Sequence, residues 1–131
     1  MILVLDTSVL SALLSNDDKV VRALSRQTYD QMVIPLATDA EMRFGFAYGQ
    51  KPVKNLENYE LFKQQFGVEV VSPDQDTAIL YADLTGWARQ HGVALSHNDI
   101  WIAATCVQVA GSLATLDGDF ANLPQLRLAK L

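Results

Sequence analysis

The chain has 131 residues, half of them apolar, 19% charged and 8% aromatic, with a formal net charge of −5. That is the length of one domain, residues 1–131, and a core of this size buries roughly two-thirds of the chain's surface. The apolar content excludes intrinsic disorder. One cysteine, Cys106, excludes an internal disulfide and fits a reducing compartment. No run approaches the roughly 20 apolar residues of a membrane helix, and Met1–Asp6 has no basic leader. The expectation is a soluble cytoplasmic protein with no membrane partner. An acidic chain also lacks the basic footprint of a nonspecific nucleic-acid binder, although seven of its ten cations lie between Lys19 and Lys63.

In chain order, Ile2–Leu5 is a continuous apolar run ending at Asp6, the pattern of a strand buried on both faces. Thr7 or Ser8 can cap a helix carrying Val9, Leu10, Leu13 and Leu14. A second helix runs from about Lys19 to Arg26, and Met32–Pro35 is a second strand. Thr38-Asp39-Ala40-Glu41 has the spacing of a capping box opening a helix at about Asp39. Pro52 suits the first turn of another reaching about Gln65, with Val53, Leu56, Tyr59, Phe62 and Phe66 as an apolar stripe for the core or a helix interface.

Val68–Val71 is a third strand. Ser72-Pro73-Asp74 opens a long helix stopping at Gly92, with Ala78, Tyr81, Ala82, Thr85 and Ala88 as its expected packed face. Val93–Asn98 is a loop and Asp99–Ala110 an apolar helix. Leu113–Leu116 is a fourth strand, and Leu126–Leu128 a further edge strand. Strands alternating with helices predict an α/β fold with a mostly parallel sheet of about four to five strands flanked by helices.

Ligands of open parallel sheets bind beyond the carboxyl ends of the strands. Asp6 follows strand one, Asp117 follows strand four, and Glu41 and Asp99 sit in the first turns of helices. Four carboxylates from four segments can meet at one edge, where mutual repulsion calls for a shared cation. Hard oxygen ligands favour Mg²⁺ or Mn²⁺. Each acid has a second reading: Asp6 as a helix cap, Glu41 as the partner of Thr38, Asp99 as the partner of Ser96, Asp117 as a turn residue. A serine elbow, a glycine-rich phosphate loop and a zinc helix motif are all missing. His91 reads as a helix-end residue, and His97 as a solvated loop histidine near the site.

These blocks resemble the PIN-domain ribonucleases, in particular the VapC-type toxins of toxin–antitoxin pairs. Val4-Leu5-Asp6-Thr7-Ser8-Val9-Leu10 is similar to the family's opening motif, Ala40–Gly45 to its second acidic block, Asn98–Ala104 to its third, and Thr115–Phe120 to its closing block. The resemblance implies that Asp6, Glu41, Asp99 and the more variable Asp117 are catalytic metal ligands. It also implies that Ser8, Thr115 and Asp119 line the site. Only Gly118 separates Asp117 from Asp119, which leaves the fourth acid open between them. The implied activity is hydrolysis of RNA phosphodiesters with Mg²⁺ or Mn²⁺, giving a 5′-phosphate and a 3′-hydroxyl. The implied partners are a small antitoxin protein and a second copy in a homodimer. Arg43, Lys51 and Lys54 are candidates for steering phosphate, against a reading as a solvated helix face. The alternatives are a PIN-type nuclease acting in RNA processing or on DNA without a toxin role, and a binding module whose acids are caps.

Overall fold

The computed structural model describes residues 1–131. Four strands, β1 (Ile2–Leu5), β2 (Gln31–Pro35), β3 (Glu69–Val71) and β4 (Ser112–Ala114), form one sheet in the order β3-β2-β1-β4. Every pairing is parallel. Six helices flank it: α1 (Thr7–Leu14), α2 (Asp18–Ser25), α3 (Leu36–Ala47), α4 (Pro52–Phe66), α5 (Gln75–Gln90) and α6 (His97–Gln108).

The alternation of side chains along β1 divides the core in two. Leu3 and Leu5 pack with Val9, Leu10, Val20, Leu24 and Tyr59 from α1, α2 and α4. Val4 packs on the other face with Leu84 and Ala88 of α5 and with Ile100, Ile102 and Ala103 of α6. The architecture is a three-layer α/β/α domain, as the run of buried strand residues predicts. Two glycines fix turns. Gly92, with φ at +67°, follows the end of α5 as expected. At Gly111 an added Cβ would stand 2.9 Å from the Ile2 carbonyl oxygen, so only glycine lets β4 start against β1. No helix is long and apolar enough to cross a membrane.

Several boundaries differ from expectation. The sheet stops at four strands: Leu128 makes a single parallel bridge to Leu113, so Leu126–Leu128 is no strand. Strand β4 ends at Ala114, two residues before Leu116. Helix α3 starts at Leu36 directly from β2, with Pro35 in the cap position and no side-chain cap. The Thr38–Glu41 capping box therefore does not exist. Thr38 is fully buried with its hydroxyl unpartnered, one turn inside the helix. Along α5 the buried residues are Thr77, Leu84 and Ala88, while Ala78 and Ala82 face solvent. Of the α4 stripe only Tyr59 is fully buried. Cys106 is buried, and burial pushes its thiol up to about 12.

Candidate active site

Asp6 is the first residue after β1, its backbone N–H donating to the Ala114 carbonyl of β4 at 3.1 Å. It occupies the cap position of α1, yet its side chain makes no cap bond. The carboxylate, only 5% exposed, instead accepts from Thr115 Oγ1 at 2.6 Å and from Ser8 Oγ at 3.1 Å. Ser8 in turn accepts from the Leu116 backbone N–H, and Thr115 Oγ1 from that of Asp117. The hydroxyls of α1 and of the segment after β4 thus hold Asp6 facing the strand ends.

Glu41 lies one and a half turns into α3. With the capping box gone, its partners are Thr7 Oγ1 at 2.8 Å and Asn98 Nδ2 at 3.1 Å, one donating to each carboxylate oxygen. These two bonds tie α3 to the first residues of α1 and α6. Asp99 stands in the first turn of α6, where its backbone N–H donates to Ser96 Oγ. The helix begins at His97 rather than Asp99. His97 is accordingly no loop residue: Nδ1 shares a hydrogen bond with the Tyr81 hydroxyl of α5.

Burial pushes the Asp99 carboxyl above the usual carboxylate range. The charges of Asp6 and Asp117 add to this, against opposing hydrogen bonds at Ser96. The charges of Asp6 and Asp117 therefore reach Asp99. Asp117 is half-buried and caps a short 3₁₀ turn (Gly118–Asn122), its Oδ1 accepting from the Asp119 N–H at 2.9 Å. Asp117 is thus both the turn residue its position suggests and an acid at the strand end. Asp119 itself is exposed.

No cation neutralises this cluster. The four ion pairs of the chain lie elsewhere, and Arg43 is taken by Asp39 and Glu60, which removes it as a free phosphate-steering group. Lys51 and Lys54 remain exposed. The donor set, carboxylates with hydroxyl and amide neighbours, has the chemistry of a hard divalent cation site. Its spacing is loose: no three acid, histidine or cysteine side chains stand close enough to hold one ion between them. That suits a largely hydrated ion, which takes one or two carboxylates directly. No spacing in the sequence marks Asn98 and Thr7 as the partners of Glu41. Their only signal was adjacency to Asp99 and Asp6.

The model of the PIN domain family matches residues 3–126. Toxin FitB of Neisseria gonorrhoeae is 29% identical over 121 residues, covering 88% of this chain and 87% of that one. Ribonuclease VapC1 of Haemophilus influenzae (strain R2866) is 26% identical over 117 residues, covering 88% and 86%. The structure of VapBC-5 from Mycobacterium tuberculosis, a member of the VapBC family of toxin–antitoxin systems, superposes with a TM-score of 0.75 at 26% identity, over 99% and 98% of the two chains. With the family model spanning nearly all of its length, the chain belongs to the PIN domain family.

Proposed function

We propose that this protein is a metal-dependent endoribonuclease toxin that hydrolyses RNA phosphodiester bonds and is inhibited by a small antitoxin protein. The observation that carries the reading is the placement of Asp6 and Asp117 just beyond the carboxyl ends of β1 and β4 with no lysine or arginine paired to them, and of Glu41 tied through Thr7 and Asn98 to the residues beside Asp6 and Asp99. The names of the similar proteins, a toxin and a ribonuclease, support the class of activity.

Asp6, Glu41, Asp99 and Asp117 would hold Mg²⁺ or Mn²⁺. When bound, such an ion lowers the pKa of a coordinated water and offsets charge on the phosphoryl oxygens. The chain's own part is to place the acids. Thr115 and Ser8 fix the orientation of Asp6, and Thr7 and Asn98 fix both oxygens of Glu41. The exposed Lys51 and Lys54, in no ion pair, are free to attract the phosphate chain. The reading extends to a single cytoplasmic domain that works as a homodimer and leaves a 5′-phosphate and a 3′-hydroxyl.

Cleavage of RNA in Mn²⁺ by Asp6→Asn, Glu41→Gln and Asp99→Asn tests the proposal. Each should lose at least about a hundredfold in rate, since even groups that only orient a metal ligand cost 10–100-fold. Wild-type rates in all three would sink it. In EDTA at neutral pH, Asp99→Asn should melt higher than wild type. A carboxyl whose pKa is raised by folding penalises the native state when ionised, and the advantage of the amide should close as falling pH protonates the wild-type group.

A further inference from the structure

Beside the acids, α1, α3 and α4 enclose a cavity of about 350 Å³. Thr7 and Glu41, which are hydrogen-bonded to each other in the acid cluster, form one side of it. The cavity is therefore continuous with the candidate reaction centre. Its other polar groups are neutral: Ser11 of α1 and Ser15 just past its end, Asn55 and Asn58 from α4. No lysine or arginine reaches it, so it offers a phosphate no opposite charge.

Those neutral groups are unspent. The side-chain hydrogen bonds of α4 are made by Tyr59 and Glu60; Asn55 and Asn58, three residues apart and so on one face of the helix, make none. Asn55 is half-buried and Asn58 exposed at the rim. The Ser11 hydroxyl has only the Met42 sulfur, a weak acceptor, at 3.5 Å. An asparagine amide presents one donor and one acceptor side by side, the complement of a base edge carrying both. Phe46, half-buried in the same wall, adds an aromatic surface of the kind on which unpaired bases stack. Gly45 leaves room: an added Cβ there would meet no atom within 4 Å.

We propose, resting on the ribonuclease reading, that this cavity receives the base of a nucleotide adjoining the scissile phosphate, with Asn55 and Asn58 reading its edge, so that it sets where RNA is cut. The amides of α4 take the base while the acids at the strand ends take the phosphate. A cut site is then recognised as an unpaired nucleotide whose base can turn into the cavity.

The test is the distribution of cut sites on a randomised RNA pool in Mn²⁺, read for wild type, Asn55→Ala and Gly45→Leu. Wild type should favour one base at one position beside the cut by about tenfold, the scale of a bidentate base contact. Asn55→Ala should flatten that preference to within about twofold by the same reasoning. Gly45→Leu, which fills the cavity from α3 without meeting backbone, should do likewise, and circular dichroism should show both variants folded. A preference unchanged in both variants overturns the cavity's role, as does unchanged preference with weakened antitoxin binding, which would assign the cavity to a protein segment. A second measurement separates the two readings: NMR of wild type in EDTA with adenosine or cytidine monophosphate. Shifts confined to the Asn55 and Asn58 side-chain amides support the cavity even if wild type cuts no RNA, a result that would overturn only the ribonuclease reading. No shift with either mononucleotide, together with a flat wild-type preference, overturns the cavity.

Discussion

Asp117 and Asp119 differ in what they touch. Asp117 is half-buried, receives the Asp119 N–H and contributes to the charge felt by Asp99; Asp119 is exposed, and its backbone serves the cap while its carboxylate serves nothing. The two roles of Asp117, cap and acid, separate by substitution. Asparagine keeps the acceptor oxygen and removes the charge; alanine removes both. Asp117→Asn should therefore lose metal affinity and cleavage while keeping or raising the melting temperature. Asp117→Ala should lose activity and in addition about 1 kcal/mol of stability, the usual worth of a cap. Asp119→Ala should leave both near wild type. Metal titration and thermal melts on the three variants check this, and loss of metal binding in Asp119→Ala alone would move the fourth acid to that position.

At the scale of elements, the strand ends were legible because buried parallel strands are short apolar runs, and Ile2–Leu5 stops at a carboxylate. The start of α3 was not. Thr38 and Glu41 have capping-box spacing, but Leu36 and Ala37 already continue into the helix from Pro35, and spacing alone carries no information about which way a threonine points. On α5 Ala88 of the expected face is buried but Ala78 and Ala82 are exposed, because alanines fit a buried or an exposed face equally well; the larger Leu84 decides it. What positions α3 against α4 was invisible in both segments read singly. Asp39, 7% exposed, accepts from Tyr59 Oη at 2.6 Å and from Arg43 Nε at 3.0 Å. Burial first, then the neighbouring Asp39, pushes the Tyr59 phenol far above its usual range, so it stays a donor. Tyr59→Phe should cost about 1–3 kcal/mol in a urea melt, because it deprives a buried carboxylate of a partner. Thr38→Val should be neutral or stabilising by up to about 1 kcal/mol, because it removes a buried hydroxyl that has no partner to lose. A Thr38→Val loss as large as that of Tyr59→Phe would show that the hydroxyl is bonded after all.

Over the whole molecule, an excess of five negative charges has to meet a polyanionic substrate, so an uncompensated acid cluster is repulsive to RNA until cations enter it. The same cluster attracts any protein segment carrying Arg or Lys, which can pair with the carboxylates in place of metal. Metal and a basic inhibitor segment then compete for one set of charges. A second surface is uncharged: a groove of about 560 Å³ between α1, α2 and α4, walled by Leu13, Val21, Leu24, Phe62 and Phe66. Contacts there would hold a partner whatever occupies the acids. The proposed antitoxin should therefore bind more weakly as Mn²⁺ rises, by about tenfold when Mn²⁺ reaches ten times its own dissociation constant under simple competition. The fall should level off if the groove supplies part of the affinity. In Asp6→Asn, with a ligand to the ion removed, the affinity should become nearly independent of Mn²⁺. Titration calorimetry of the cognate complex at graded Mn²⁺ measures both slopes. A flat wild-type slope would mean that the antitoxin leaves the carboxylates alone and inhibits by covering the approach to them.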